Sequence, residues 1–170
     1  MASADGTVPR FNAWSPKLLI HYIIDNHHNY VREALTRIPF FINKVAARHA
    51  ETHPENAEVA GLFAELSREM TDHMASEENE VFPLITSYLK QKDEASRTRL
   101  EQLVDDMESE HSGAGALMAR IRELTNGFTP PPGACNTYQV AYAELEAFER
   151  DLHQHVHLEN NILFPKALKA

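Results

Sequence analysis

The stretch HMASEENEVFP at 73–83 returns as HVHLENNILFP at 155–165, eighty-two residues further along the chain. Each copy sets a Glu four residues after a His and a Phe-Pro pair nine and ten residues after it. A spacing of four stacks two side chains on one face of a helix. The apolar residues around each copy show which face that is. Leu145, Phe148, Leu152, His155, Glu159 and Ile162 advance in steps of three and four, as do Leu62, Leu66, Met70, His73, Glu77, Val81 and Leu84. The imidazoles and carboxylates therefore stand where a helix packs into a core.

The same periodicity runs through two further segments, giving Ile20, Ile23, His27, Val31, Ala34 and Ile38 in one, and Leu100, Leu103, Met107, His111, Ala114, Leu117, Ile121 and Leu124 in the other. No run of β-branched, period-two alternation occurs, so the chain reads as all-α. The first segment opens at Ser15-Pro16 and is expected to break or kink at Pro39 before continuing toward Ala50. The second runs from about Pro54 to Lys90, and the third from an Asp93 cap to Thr125, stopped by Asn126-Gly127. The loop NGFTPPPGAC then leads to a fourth segment starting at Asn136, with Gln139 as capping-box partner. Four antiparallel helices with short connections predict an up-down-up-down four-helix bundle with a pseudo-twofold relation between its halves. Residues 1–13 read as a short extension and 14–170 as the domain.

Four inward histidines and two inward glutamates are expensive to bury. Two carboxylates about 4 Å apart repel by about 4 kcal/mol at an effective dielectric near 20, and each loses several kcal/mol of hydration. A cation offsets both costs. His27, His73, Glu77, His111, His155 and Glu159 are thus the candidate metal ligands, enough for two ions that share the carboxylates. Imidazole and carboxylate together suit Fe, Mn, Zn or Co, and oxygen bridging between two ions favours iron. The chain has no His-Glu-x-x-His, which disfavours a zinc protease, and a single inward Glu-x-x-His, at Glu108 and His111, makes a ferritin-like set a poor match.

The remaining histidines read differently. His153 and His157 face away from His155, and His28 lies about 100° from His27, so all three are expected on the surface. His49 and His53 fall in a turn, because Pro54 disfavours helix at the residue before it. Pro83 and Pro165 remove the hydrogen bonds to the carbonyls of Asn79 and Asn161 and are expected to kink their helices just past the glutamates. Phe82 and Phe164 are expected to close the apolar end of the site, and Cys135 to be a small buried residue.

Composition narrows the partners. A net charge of −9 with no Lys/Arg cluster argues against nucleic acid and anionic membrane surfaces. The single Cys rules out an internal disulfide and thiolate-rich clusters. No apolar run approaches membrane-spanning length and the first residues lack the pattern of an export signal, so a cytoplasmic location is expected.

HMASEENEVFP, MESEHSGAG, TPPPGACNTY, DLHQHVHLENNILFP and HHNYVREAL together resemble the hemerythrin-like domain of the RIC family, di-iron proteins associated with repair of stress-damaged iron–sulfur clusters. The resemblance covers about 14–168. It implies His27, His73, His111 and His155 as terminal ligands, Glu77 and Glu159 as bridges, and two Fe ions joined by an oxo or hydroxo group. It also implies labile positions open to NO, O₂ or peroxide, and iron–sulfur proteins as recipients of released iron. Longer family members carry an N-terminal domain with a vicinal Cys pair, and no Cys precedes the first helix of this sequence. The expected function is iron donation in nitrosative and oxidative stress. An O₂- or NO-binding carrier or sensor, or a reductase of NO or peroxide, are the rival readings.

Overall fold

The computed structural model describes residues 9–169. Among them there is no strand. Four rods form the bundle, and three of them carry one wide turn with π-type hydrogen bonding inside an otherwise α-helical run. The first rod joins α1 (Pro16–Tyr22), a π turn (Ile23–His28) and α2 (Asn29–Arg48). The second joins α3 (Glu55–Ser76), a π turn (Glu77–Val81) and α4 (Phe82–Gln91). The third is α5 (Glu94–Leu124) alone. The fourth joins α6 (Asn136–Leu158), a π turn (Glu159–Leu163) and α7 (Phe164–Lys169). α2 lies against α3 and α6, and α3 against α5, the neighbour pattern of an up-down-up-down bundle whose first and fourth rods also meet.

The rod ends follow their local chemistry. The Ser15 hydroxyl accepts from the Leu18 N–H at 3.3 Å with Pro16 behind it, and the Asp93 carboxylate accepts from the Ser96 N–H at 2.9 Å. Lys92 closes α4 in the left-handed conformation (φ 51°), and Asn126 (φ 48°) and Gly127 (φ 66°) end the third rod as expected. Pro39 does not interrupt α2, which needs to give up only the bond to the Leu35 carbonyl to accommodate it. The expected capping box at Gln139 is absent: Cys135 is the N-cap and its side chain caps nothing, while the Gln139 amide donates to the Ala134 carbonyl at 2.9 Å. Cys135 is exposed, not buried, because an N-cap with extended backbone leaves the side chain at the loop surface.

A polar layer divides the core. On one side pack Val31, Ala34, Ile38, Phe63, Leu66, Tyr142 and Phe148, and on the other Leu19, Ile23, Phe82, Leu100, Leu163 and Phe164. Between them lie His27, His28, His73, Glu77, His111, His155 and Glu159, all at most 5% exposed. A layer of that polarity is tolerated only where its groups satisfy one another or hold an ion.

Candidate metal centre

The π turns set the geometry of this layer. Such a turn accommodates one residue more than an α turn and occurs frequently at functional sites. In the second and fourth rods it begins at the motif glutamate and ends just before Phe-Pro, where proline withholds its N–H. The expected kink thus takes the form of a π turn. Its consequence is a one-residue shift of the buried face, so that Ile85 is fully buried where the regular period had put Leu84.

The same shift in the first rod exchanges two histidines. His28 follows Ile23 by five residues, one π turn, and so shares its inward face. His28 was expected on the surface; it is fully buried, and its Nε2 lies 3.1 Å from Glu77 Oε2. His27 was expected among the ligands. It lies instead beside the cluster, with Nδ1 2.8 Å from Asp151 Oδ1 and its ring stacked on His155 at 5.5 Å. The other five expected residues converge as the spacing requires.

Two four-residue groups result: His28, Glu77, His155 and Glu159, and His73, Glu77, His111 and Glu159, each with ligand atoms within 4.8 Å of one another. His155 Nε2 is 2.9 Å from Glu159 Oε1 and 3.8 Å from Glu77 Oε2. His111 Nε2 is 3.0 Å from Glu159 Oε2, and His73 Nε2 is 3.3 Å from Glu77 Oε1. Ligand atoms about 3 Å apart are what a shared cation at about 2 Å from each requires. The strongest indication is between two imidazoles: His73 Nε2 and His111 Nε2 approach to 3.0 Å. Two lone pairs repel at that distance unless a proton or a metal ion lies between them. The residues fit a pair of cations bridged by both carboxylates.

The backs of the rings are held as metal-binding imidazoles usually are. His28 Nδ1 meets Glu78 at 2.7 Å, His73 Nδ1 meets Glu110 at 2.6 Å, and His111 Nδ1 meets Asn160 at 2.8 Å. Phe82 stacks on His28 and Phe164 on His111, at 5.8 and 6.4 Å between ring centroids. Each copy of the repeat therefore supplies a ligand His, a shared Glu, the next residue as a brace for a His of the preceding rod, and a Phe against that same ring. That common task is a physical cause for the recurrence of the motif.

Without a cation, protons take over its role. Burial disfavours a charged His73 ring, but the hydrogen bond and charge of Glu77 outweigh this and raise its pKa to about 9. Burial likewise opposes charge on His155, where Glu159 and Glu77 prevail and raise the value to about 10. Glu77 is fully desolvated, yet hydrogen bonds with His155, His28 and His73 hold its carboxyl well below the usual range. Glu159 is lowered as well: burial and the Glu77 charge oppose ionisation, and His155 and His111 overcome them.

His153 and His157 are exposed, and His49 and His53 lie in the turn between the first two rods with their rings against Tyr138. Glu78, Glu110, Asn160 and Asp151 had no signature in the sequence beyond their position next to, or four residues before, an inward residue. A cleft of about 370 Å³ between α3 and α5, lined by Glu69, Asp72, Glu110 and Gly113, reaches His73 and His111.

Four antiparallel rods closed around a layer in which four imidazoles and two carboxylates converge, with His27 beside them, define a four-helix-bundle protein suited to binding cations. Residues 19–167 match the Hemerythrin HHE cation binding domain, and the chain belongs to that family. It is 40% identical over 157 residues to the "Iron-sulfur cluster repair protein YtfE" of Yersinia pseudotuberculosis serotype IB (strain PB1/+), covering 89% of this chain and 66% of that protein. To the "Iron-sulfur cluster repair protein ScdA" of Staphylococcus haemolyticus (strain JCSC1435) it is 35% identical over 149 residues, covering 87% of this chain and 65% of that one. The chain thus spans about two thirds of the length of these relatives.

Proposed function

We propose that residues 14–170 form a di-iron domain that donates iron for the repair of damaged iron–sulfur clusters in nitrosative and oxidative stress. The observation that carries this reading is the fit of four buried imidazoles and two shared carboxylates to two adjacent cations in a chain similar to proteins named for cluster repair. His28 and His155 would hold one iron and His73 and His111 the other, with Glu77 and Glu159 between them and an oxo or hydroxo bridge completing the pair. Iron supplies electrons and open coordination positions for NO, O₂ or peroxide. The chain supplies the rest: it orients the rings through Glu78, Glu110 and Asn160, excludes water with Phe82 and Phe164, and leaves the α3–α5 cleft as a path to His73 and His111.

The carboxylates lining that cleft suit cation passage better than gas storage, which favours donation over reversible O₂ or NO carriage. The recipients would be apo iron–sulfur proteins of the cytoplasm. None of the described helices is long and apolar enough to cross a membrane. Mixing the reduced, iron-loaded protein with an inactive apo iron–sulfur enzyme tests the reading. Iron transfer with recovered activity is expected; iron retained through many cycles of gas binding would overturn it.

A further inference from the structure

His27 is buried, is not part of either ligand group, and still touches the centre through the face of His155. Its other ring contact leads outward. Tyr22 meets His27 edge-on at 5.7 Å, Trp14 meets Tyr22 at 5.3 Å, and Phe11 braces both outer rings at 4.8 and 5.1 Å. Trp14 and Tyr22 are both half-buried, so the series runs from solvent to the metal-binding layer without a gap. His27 is fixed in this line by its bond to Asp151, and Trp14 by the Lys166 ammonium, which donates to its carbonyl at 2.9 Å.

Phenol and indole are, with thiol, the side chains most readily oxidised by one electron. Electron transfer slows exponentially with distance, so several short steps outpace one long one. Trp14 is the only Trp in the chain. The only thiol, Cys135, lies twenty residues before His155 on the same rod, about 30 Å along it.

We propose that Trp14 and Tyr22, bridged to the centre by His27, form a conduit that delivers single electrons from the surface when peroxide meets a centre that has only one electron to give. The proposal rests on the di-iron reading above. Reduction of hydrogen peroxide to two waters consumes two electrons and two protons. Iron held by His28, His73, His111 and His155 would supply one electron, Tyr22 supplies the second across His27, and the two protons are drawn from solvent. Tyr22 releases its phenolic proton to solvent and becomes a neutral radical. Trp14 then passes an electron to Tyr22, which regains a proton, while the indole loses its N–H proton. A soluble thiolate or ascorbate-type donor restores Trp14 by giving up one electron, and the indole takes its proton back from water. The centre is spared a one-electron deficit that would otherwise oxidise its own ligands.

The test uses the whole protein loaded with iron, metal content measured first, reduced by one electron per iron pair and frozen after one equivalent of hydrogen peroxide. Electron paramagnetic resonance is expected to show a tyrosine-type radical that narrows when ring-deuterated tyrosine is incorporated. Tyr22→Phe is expected to lose the signal with iron content unchanged, and Trp14→Phe to prolong its lifetime. Tyr30→Phe, whose ring meets Phe148 and not the histidines, is expected to leave it intact. Iron-loaded protein without a radical, or a radical of the same yield in Tyr22→Phe, would overturn the conduit and leave the iron site standing. A chain that takes up no iron would overturn both.

Discussion

Raising the pH of the metal-free protein should unfasten the bundle from its polar layer. Without a cation, Glu77 and Glu159 are compensated by protons on the neighbouring rings. His73 and His155 keep those protons up to about pH 9 and 10, whereas in the unfolded chain they release them near the ordinary value of 6.5. The folded state therefore binds more protons between those limits, and stability falls as pH rises through them. At about 1.4 kcal/mol per pKa unit, each ring contributes roughly 3 to 5 kcal/mol when protonated. Both rings draw on the same two carboxylates, so the contributions do not simply add, and a loss of about 3 kcal/mol or more is expected between pH 6.5 and 10. Against a total stability of about 5–15 kcal/mol this is a large fraction. The lowered carboxyls act in the opposite sense, their contribution fading as pH drops below about 4.5. Metal-free protein should therefore be most stable between these windows. Urea titrations would show the midpoint falling by about 1 M or more from pH 6.5 to 10. The variant Glu77→Gln/Glu159→Gln, which no longer needs the protons, should show a much flatter profile. A midpoint for the unaltered metal-free chain that does not change from pH 6.5 to 10 would refute the reasoning.

Three further outcomes follow from the same geometry. His28→Ala should reduce bound metal from two ions per chain toward one, while His27→Ala should keep both; elemental analysis distinguishes them. Removing the brace in Glu78→Ala should weaken metal binding about 10- to 100-fold, measured by competition with a chelator, with helix content preserved. Stripping the metal at pH 7 should lower the melting temperature, because a ligand at a thousand times its Kd stabilises the fold by about 4 kcal/mol; calorimetry before and after chelation measures the difference.

Much of this was legible in the sequence. The three- and four-residue steps gave the four rods, and burial of His73, Glu77, His111, His155 and Glu159 followed from their place on the apolar faces. The pairing of His27 and His28 was not legible, and the reason is geometric. Ile23, His27 and Val31 are four residues apart, which an α-helix accommodates, so nothing in the periodicity reveals the wide turn that brings His28 inward. In the second and fourth rods Pro83 and Pro165 announce a disturbance; the first rod carries no proline there. At Pro39 the helix does not break, since a helix held on both sides by α3 and α6 can lose one hydrogen bond and continue. The braces Glu110 and Asp151 arise from which rods are neighbours, information that no single segment holds.

Each cation position draws two residues from the first half of the chain and two from the second. Neither half owns a complete group, so cations bound there would act as a clasp across the seam between the halves. Fraying at the α4 or α7 end pulls on a shared carboxylate, the brace beside it and the ring that covers it together. Loosening of the fold and loss of a bound cation would then be one event.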